Sequence, residues 1–520
     1  MSAQSLKALF NAAGIPVDSD FTDISVTGLK TDSREVMPGD AFLALQGAKL
    51  DGAAYAAEAA RRGAAVVLLE STEATNSSAS QHNVPVLRIS SLRAYTGPLY
   101  DAWNGFPSRA LQFYGITGTN GKSTTVLLMS AILRAAGRGV ISLGTIRYQI
   151  GDEILDSTLT TPSTESFYGL LARGVAAGCD SVAMEVSSHA LSQDRIRGVK
   201  FRRALFSNLT QDHLDFHADF EDYFAAKKKL FTEYLLEDGV GIVNLDSPYG
   251  VRLLSEWTGA RFTFSRGETP EGAEADLVLR EAKLALGGTE LTLAYRGTEF
   301  TLRSRLVGNL NVENLLAAAA FGLSLGMRPE LIARGIAEIS VPGRNEVFRL
   351  PSLSGGKSAF AVVDYAHTPD ALERVLASLR PLTPGKLQVV FGCGGDRDRG
   401  KRAIMGEIAE RLADRVILTS DNPRSEDPGA ILAAIQAGMR DPSAARVVAD
   451  RRAAIRDGLA QLTDGDCILI AGKGHEDYQI LSTGKIHFRD QEEIAAYMAT
   501  RTGTSAETAA KTGWEAPAWS

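Results

Sequence analysis

The stretch Phe113-Tyr-Gly-Ile-Thr-Gly-Thr-Asn-Gly-Lys-Ser-Thr-Thr125 decides the fold of this chain. It begins with apolar residues typical of a buried strand, passes through glycines, and continues into Val126-Leu-Leu-Met-Ser-Ala-Ile-Leu133, which predicts a helix. Glycine N–H groups, a helix N-terminus and a lysine charge together favour a polyphosphate, and a serine or threonine hydroxyl at the helix start can ligate Mg²⁺. The stretch therefore predicts a phosphate-binding loop made of Gly118, Thr119, Asn120, Gly121, Lys122, Ser123 and Thr124. It is a variant form, because Ile116 stands where the full G-x-x-x-x-G-K-[ST] pattern has glycine.

Length, charge and cysteine content narrow the class of protein. A chain of 520 residues is too long for one core, so about three domains are expected. The net charge of −7 argues against nucleic-acid binding, which needs a basic surface. Three scattered cysteines fit a reducing compartment and no zinc site. Because no apolar leader and no run of eighteen apolar residues occurs, we expect a cytoplasmic protein without a membrane partner. We also expect a monomer.

The expected fold class is α/β in three domains. They are a smaller N-terminal α/β domain (1–108), a central nucleotide domain with a mostly parallel sheet (109–341) and a C-terminal Rossmann-like domain (342–500), followed by a disordered tail (501–520). In the first domain, alternating patterns predict strands at 41–45 and 64–70, a helix at 53–62 and a loop at 71–83. Asp32-Ser33-Arg34 form either a solvated turn or a ligand contact.

Polar residues follow the predicted strands of the central domain. Glu185 lies near the carboxyl end of an apolar strand, which faces the ligand crevice of an open parallel sheet, so it is well placed to meet a metal ion. His213, in a loop after another short strand, is either an ordinary loop residue or a metal ligand. Composition predicts a solvated helix face for Lys227 and its two neighbours. Asn311 begins a helix, where it could cap the first turn or touch an adenine ring.

Four apolar strands of the third domain each end in a polar cluster. The clusters are Asp364-Tyr-Ala-His-Thr-Pro-Asp370, Gly392-Cys-Gly-Gly-Asp-Arg-Asp398, Ser420-Asp-Asn-Pro-Arg424 and Gly472-Lys-Gly-His-Glu476. Helices between them predict a parallel sheet with all four clusters on one edge. Arginines bind carboxylates and a glutamate holds an ammonium group, so this edge suits an amino acid. Joined to a nucleotide domain, it predicts ATP-driven activation of a carboxylate as an acyl phosphate, followed by amide formation.

These motifs resemble those of the Mur ligases over residues 20–500, and within that family the members that add meso-diaminopimelate. Gly118-Thr-Asn-Gly-Lys-Ser-Thr124 is similar to the family's phosphate loop, and Asp421-Asn-Pro-Arg424, Gly472-Lys-Gly-His-Glu476 and Asp396-Arg-Asp398 are more diagnostic. The resemblance implies an ATP- and Mg²⁺-dependent ligase of peptidoglycan synthesis. Its small-molecule substrates would be ATP, a UDP-N-acetylmuramoyl dipeptide and meso-diaminopimelate.

The resemblance also implies roles for individual residues. Diaminopimelate contacts match Arg397, Asp421, Asn422, Pro423, Arg424, Gly472 and Glu476, with Arg424 on the distal carboxylate. Contacts to the UDP-linked dipeptide match Ser33, Thr160, Thr161, Ser187, Gln193 and Arg195. Lys227 matches a lysine that is carbamylated in the family, Ser123, Glu185 and His213 match its metal site, and Arg344 and Asp364, with Asn311, lie where its members meet the nucleotide. Lys122, Lys227, His213, Glu185 and Arg344 are thus the expected catalytic residues.

Two departures from the family and three alternatives remain. Leu159 stands where some members have asparagine, and Asn345 stands where an apolar residue is expected. A lysine-adding ligase of the same family is the nearest alternative, but lysine would leave Arg424 without the second carboxylate. A folylpolyglutamate synthetase-like ligase does not account for the first 108 residues. A nucleotide switch or motor does not account for the polar edge of the third domain.

Overall fold

The computed structural model describes residues 3–16, 22–46, 51–71, 77–81, 84–210, 216–267, 274–350 and 358–502. The chain divides into two compact units, one of residues 1–276 with 317–327 and the other of residues 277–316 with 328–520. Within the described ranges, no helix is both long and apolar enough to cross a bilayer. The tail predicted to be disordered lies outside the described residues from position 503 onward.

The first unit begins with a small α/β layer. Its elements are β1 (Gln4–Ser5), α1 (Leu6–Ala13), β2 (Ser25–Val26), β3 (Leu29–Lys30), β4 (Ala41–Ala44), α2 (Ala56–Arg61), β5 (Val66–Ser71), β6 (Ser77–Gln81), β7 (Val84–Ser90) and α3 (Leu92–Trp103). Strands β3, β4, β5 and β7 are parallel and β6 closes the edge antiparallel to β7. The loop predicted for 71–83 is therefore wrong at 77–81. A serine-rich segment has no strand pattern, and backbone pairing with β7 makes it an edge strand.

The rest of the first unit is the phosphate-loop layer. Its elements are β8 (Gln112–Thr117), α4 (Lys122–Ala135), β9 (Val140–Leu143), β10 (Tyr148–Ile150), β11 (Glu153–Leu155), α5 (Thr164–Ala176), β12 (Ser181–Glu185), α6 (Ser188–Ser192), β13 (Phe201–Phe206), α7 (Phe220–Thr232), β14 (Leu235–Asn244), α8 (Pro248–Glu256) and β15 (Arg261–Ser265). Their strand order is β11-β10-β9-β12-β8-β13-β14-β15. The six strands from β9 to β15 in that order are parallel, so their carboxyl ends meet at one edge.

The two layers of the first unit share one apolar core. It includes Leu29 and Tyr100 from the first layer and Phe113, Phe167 and Phe201 from the second. Each such side chain contributes about 1.5–3 kcal/mol when fully buried.

Close polar and backbone contacts hold the same two layers together. Lys30 Nζ pairs with Glu165 Oε1 at 2.6 Å. A Cβ added at Gly97 of α3 would lie 1.7 Å from the Arg197 carbonyl oxygen, so only glycine permits this approach.

The second unit contains an antiparallel meander and a doubly covered sheet. Its elements are β16 (Leu277–Ala285), β17 (Gly288–Tyr295), β18 (Thr298–Ser304), α9 (Asn309–Ser324, of which 317–324 count with the first unit), α10 (Pro329–Ile336), β19 (Glu346–Leu350), β20 (Ala359–Asp364), α11 (Pro369–Leu379), β21 (Leu387–Phe391), α12 (Lys401–Leu412), β22 (Arg415–Leu418), α13 (Pro428–Gln436), β23 (Arg446–Val447), α14 (Arg451–Ala460), β24 (Cys467–Ala471), β25 (Tyr478–Leu481), β26 (Gly484–His487) and α15 (Asp490–Thr502). The sheet order is β19-β20-β24-β21-β22-β23, parallel except for β19.

Alternate residues of this sheet enter two separate cores. Val389 packs with residues of α11, α12 and α13 on one face, and its neighbour Val390 packs with residues of α14 and α15 on the other. A parallel sheet covered by helices on both faces confirms the α/β class predicted from the sequence. The carboxyl ends of β20, β21, β22 and β24 then share one edge, as the four polar clusters predicted.

Candidate active site

The phosphate loop is held in shape by the segment that follows β13. Gly118 has φ +150°, and a Cβ there would lie 2.0 Å from Ser207 Oγ. Thr119 N donates to the Asn208 carbonyl at 2.9 Å and Asn120 N to Asn208 Oδ1 at 2.9 Å. Gly121, with φ +85°, directly precedes α4, so the helix starts at Lys122. The loop is thus preformed around a helix N-terminus, the geometry that favours anions.

Two lysines converge on one carbonyl of this loop. Lys122 Nζ donates to the Gly118 carbonyl at 3.0 Å and to the Thr119 carbonyl at 2.8 Å. Lys227 Nζ donates to the same Gly118 oxygen at 2.9 Å and lies 4.4 Å from the centre of the Tyr223 ring. Lys227 is only 1% exposed, so the solvated helix face predicted from composition is wrong at this position. Its amine is instead directed at the phosphate loop.

Glu185 lies beside the phosphate loop at the end of β12. Its register partner on β8 is Ile116, two residues before Gly118. The side chain is 1% exposed and accepts hydrogen bonds from Thr145 N at 2.7 Å and Thr145 Oγ1 at 3.2 Å. Thr145 also contacts Thr160 Oγ1 at 3.0 Å, so it links Glu185 to a predicted substrate residue. The sequence analysis missed Thr145, which lies in no recognisable motif.

A compact polar cluster continues from Glu185 into α6. Thr161 Oγ1 donates to the Glu185 carbonyl at 2.9 Å, and Ser187 N donates to Thr161 Oγ1 at 3.0 Å. Ser187 also caps α6 through its hydroxyl. Arg195 donates to Gln193 Oε1 at 2.9 Å and to the Thr161 carbonyl at 3.2 Å. Burial lowers the pKa of Arg195 from its ordinary value. Five of the six residues predicted for the UDP-linked substrate therefore lie together.

Ser33, the sixth, lies in a short turn of the first layer. Asp32 caps this turn by accepting from Arg34 N at 2.9 Å, and it pairs with the Arg34 guanidinium at 2.6 Å. The Ser33 hydroxyl donates to Glu58 Oε2 at 2.9 Å. The structure thus shows the turn that the sequence allowed, and a ligand contact at Ser33 stays a prediction.

His213 lies outside the described residues, so its role as a metal ligand stays a prediction. A second histidine of the same sequence motif, His217, is 2% exposed, and its Nδ1 lies 3.0 Å from Asp222 Oδ2. Its Nε2 has no hydrogen-bond partner among the described residues. The sequence analysis did not single it out.

In the second unit, Asp364, which was predicted to meet the nucleotide, lies at the end of β20. Asp364 accepts from Asn345 N at 2.7 Å and Ala366 N at 2.8 Å, and burial raises the pKa of its carboxyl. Asn345 has φ +44°, a conformation that asparagine tolerates better than apolar residues. The Arg344 guanidinium lies 4.8 Å from the centre of the Tyr365 ring. Asn311 is 7% exposed and donates to the Val307 carbonyl at 2.9 Å.

The loops after β22 and β24 form the polar centre of the third predicted domain. Asn422 Nδ2 donates to Glu476 Oε2 at 3.0 Å. Lys473 is fully buried, and its Nζ lies 3.2 Å from Asn422 Oδ1, 3.2 Å from Glu476 Oε2 and 3.5 Å from Asp421 Oδ1. Lys473 was part of a predicted motif but was not assigned a role, because the sequence does not show which way its side chain turns.

Arg424 and Arg397, two arginines of the predicted amino-acid site, lie beside the same glycine, Gly394. Arg424 has φ +54°, and its Nη1 donates to the Gly395 carbonyl at 2.7 Å. A Cβ at Gly394 would approach Arg424 Nη1 to 2.9 Å and Arg397 Cγ to 3.7 Å, so both side chains pass the same glycine. Arg397 is exposed. Gly472 has φ +115°, and a Cβ added there would lie 3.8 Å from the Asp421 carboxylate. The predicted amino-acid residues therefore cluster at one sheet edge.

The multidomain α/β fold and the preformed loop at the start of α4 are those of a nucleotide-dependent enzyme. Three family models match the chain: the Mur ligase family catalytic domain at 25–102, the Mur ligase middle domain at 116–322, and the Mur ligase glutamate ligase domain at 343–474. The chain belongs to the Mur ligase family.

Individual relatives match over nearly the whole chain. The UDP-N-acetylmuramoyl-L-alanyl-D-glutamate--2,6-diaminopimelate ligase of Synechococcus elongatus is 44% identical over 92% of this chain and 95% of its own. The ligase of the same name from Gloeobacter violaceus is 43% identical over 96% of this chain and 99% of its own. A solved structure of a ligase of that name has a TM-score of 0.70, with 30% identity, over 96% of this chain and 99% of that one.

Proposed function

We propose that the protein is an ATP-dependent ligase that adds meso-2,6-diaminopimelate to UDP-N-acetylmuramoyl-L-alanyl-D-glutamate in the cytoplasm, releasing ADP and phosphate, for peptidoglycan synthesis. The observation that carries the proposal is the cluster of Asp421, Asn422, Lys473 and Glu476 beside Arg424, found in a chain 44% identical to a diaminopimelate ligase. A cage of carboxylates beside an arginine suits a substrate that carries both an ammonium group and a carboxylate.

The first unit would bind ATP and the acceptor. The backbone of residues 118–124 and the Lys122 ammonium would hold the phosphates, and Asn311, Arg344 and Asp364 of the second unit are proposed nucleotide contacts. Ser33, Thr160, Thr161, Ser187, Gln193 and Arg195 are proposed to bind the UDP-linked dipeptide. Positive charge at the loop favours attack by the acceptor carboxylate on the γ-phosphorus, because it stabilises the phosphoryl group in transfer.

The residues around the loop also fit a Mg²⁺ site. The Ser123 hydroxyl at the start of α4 and the Glu185 carboxylate at the end of β12, next to β8, are oxygen ligands of the kind this ion prefers. His213 is the third proposed ligand. When bound, the ion would neutralise charge on the phosphates.

Lys227 would join this site only after modification. As an ammonium it repels a cation, but carbamylation by CO2 would convert the amine to an anion that can ligate one. Support comes from its position: the amine is buried and lies 2.9 Å from the carbonyl of Gly118 in the phosphate loop.

The second unit would bind the amino acid. Arg424 is proposed to hold its distal carboxylate, while Arg397, Gly472, Glu476 and the Asp421-Asn422-Pro423 segment are proposed to make its other contacts. The reacting amino group of the bound amino acid, in its deprotonated form, would attack the carbonyl carbon of the acyl phosphate. The C–N bond forms, the C–O bond to phosphate breaks with its electron pair leaving on inorganic phosphate, and the proton that the nitrogen loses passes to solvent.

The test is product formation from ATP, the UDP-linked dipeptide and either diaminopimelate or lysine, followed by mass spectrometry and steady-state kinetics. We expect a product with the mass of the diaminopimelate adduct and a higher kcat/KM for diaminopimelate than for lysine. An Arg424→Ala variant should lose about 10–100-fold in kcat/KM for diaminopimelate, as expected for one charged hydrogen bond. Equal or greater efficiency of the wild-type enzyme with lysine would contradict the assignment.

A further inference from the structure

Lys473 differs in burial and contacts from most lysines of the chain. Its side chain is 0% exposed, and all three of its ammonium protons have an oxygen within reach. Those oxygens belong to Asp421 and Asn422 after β22 and to Glu476 after β24, so one cation joins two loops of the sheet edge. A lysine is seldom fully buried unless it is paired, and its pairing here is with residues of the proposed amino-acid site.

The contacts of Lys473 leave part of each acid available. Glu476 Oε2 accepts from both Lys473 Nζ at 3.2 Å and Asn422 Nδ2 at 3.0 Å. Asp421 Oδ1 is the oxygen that faces the same ammonium. Among the described residues, neither Glu476 Oε1 nor Asp421 Oδ2 has a side-chain or backbone donor. One oxygen of each acid is therefore committed to the protein and the other is available to a ligand.

Charge balance gives the reason for a cation at this point. Two carboxylates within 3.5 Å of one ammonium nitrogen repel each other, and the ammonium charge offsets that repulsion. With Lys473 between them, the cluster carries two negative charges and one positive charge. The remaining single negative charge matches one substrate ammonium group.

The loop that carries Lys473 is held by residues of α14 and α15. Arg451 and Asp490 are both fully buried and form a two-bond ion pair at 2.7 Å, and Arg451 Nη2 also donates to the Ala471 carbonyl at 3.1 Å. Gln491 Nε2 donates to the Gly474 carbonyl at 2.9 Å. The first residues of α15 thus hold the backbone on both sides of Lys473, so its side chain has a defined direction.

We infer that Lys473 is a positioning residue that orients Glu476, Asp421 and Asn422 and balances their charge so that the site accepts one ammonium group of the incoming amino acid. This inference rests on the proposed function, since it concerns the same amino-acid site. Lys473 acts through the two acids and the amide, and it is not required to touch the substrate.

The first experiment compares Lys473→Met with Lys485→Met in the full-length enzyme. Lys485 is a matched control because both lysines lie over the Tyr478 ring, at 5.5 Å for Lys473 and 3.9 Å for Lys485, and Lys485 is exposed. Methionine keeps most of the stem volume and removes the charge. We expect Lys473→Met to raise KM for diaminopimelate about 10–100-fold, with KM for ATP unchanged within about twofold, and Lys485→Met to change neither. An unchanged KM for diaminopimelate in Lys473→Met, or an equal rise in KM for ATP, would overturn the inference.

The second experiment separates charge from shape. In Lys473→Ala, propylammonium added to the assay should restore kcat/KM for diaminopimelate, because it returns the missing ammonium group to the cavity. Propanol at the same concentration has the same stem without the charge and should not. Equal rescue by propanol would show that Lys473 only fills space and would overturn the inference. If the wild-type enzyme formed no product from diaminopimelate, the proposed function itself would fail. If the wild type formed the product and both Lys473 variants had the same kinetic constants for diaminopimelate as the wild type, only this inference would be refuted.

Discussion

The buried pair of Arg451 and Asp490 gives the sharpest stability prediction. Both side chains are 0% exposed and are joined by two hydrogen bonds of 2.7 Å. The change Asp490→Asn removes the counter-charge and leaves the guanidinium buried. Arg451 Nη1 already lacks a partner among the described residues, so little remains to solvate the charge. Breaking such a pair costs about 3–5 kcal/mol.

The magnitude can be measured by differential scanning calorimetry. For a unit of 150–250 residues, about 1 kcal/mol shifts Tm by roughly 2–4 °C, so the transition that includes α14 and β24 should fall by about 6–20 °C. Hydrogen exchange at the amides of these two elements identifies that transition, because their protection should fall with it.

Two control experiments test whether the loss comes from the buried, unpaired charge. The exposed pair Arg374–Asp370 has side chains 64% and 71% exposed, so Asp370→Asn should cost less than about 1 kcal/mol. Replacing both buried partners, as Arg451→Met with Asp490→Leu, should recover most of the loss, because an apolar pair needs no desolvated charge. If Asp490→Asn is as stable as the wild type, or the double variant is as unstable as Asp490→Asn, the reasoning is refuted.

Three further predictions concern Gly118 of the phosphate loop, the pH dependence of stability at Glu426, and the buried Lys227. Gly118→Ala should lower kcat/KM for ATP about 10²-fold, because its Cβ would lie 2.0 Å from Ser207 Oγ and displace the loop. Gly169→Ala in α5, where a Cβ meets no atom within 4 Å, should leave that constant unchanged, and equal effects of the two variants in kinetic assays would contradict the prediction. Hydrogen bonds from Arg402 hold the pKa of Glu426 down to about 2, so the stabilising effect of the Glu426 carboxylate is present above about pH 4.3 and is lost as the pH falls through 2. In denaturant titrations, the difference in unfolding free energy between the wild type and Glu426→Gln should shrink over that pH range, and a constant difference would contradict the prediction. Lys227→Met should abolish ligation while the wild-type rate falls in CO2-free buffer and recovers with bicarbonate, and a fully active Lys227→Met enzyme would exclude carbamylation as a requirement.

Local order along the chain accounts for what could be predicted. The order of strand, glycines, Lys122 and helix predicted the phosphate loop, because all parts of such a loop are contiguous in the sequence. The strand ends of the third domain predicted a shared polar edge, because parallel strands bring their carboxyl ends together. The described part of the structure confirms the strand–loop–helix geometry and the shared edge, and phosphate binding by the loop stays a prediction.

What escaped prediction depends on contacts between distant residues. Composition alone predicted a solvated face for Lys227, and only the family resemblance assigned it to the active site; its helix turns the amine toward Gly118, 109 positions away. Arg451 and Asp490 are 39 positions apart, and neither lies in a motif. Strand β6 forms because β7 offers a free edge, which a serine-rich sequence does not reveal. The domain boundaries at 108 and 341 and the role of His213 stay predictions.

The central claim is that the acceptor carboxyl group is activated by phosphoryl transfer from ATP before the amine attacks. The most direct measurement uses UDP-N-acetylmuramoyl-L-alanyl-D-glutamate labelled with ¹⁸O in the glutamate side-chain carboxyl, together with ATP and diaminopimelate. Phosphate released during ligation should carry one labelled oxygen, because the bridging oxygen of the acyl phosphate leaves with phosphorus. Unlabelled phosphate released with a correctly formed amide product would contradict the account.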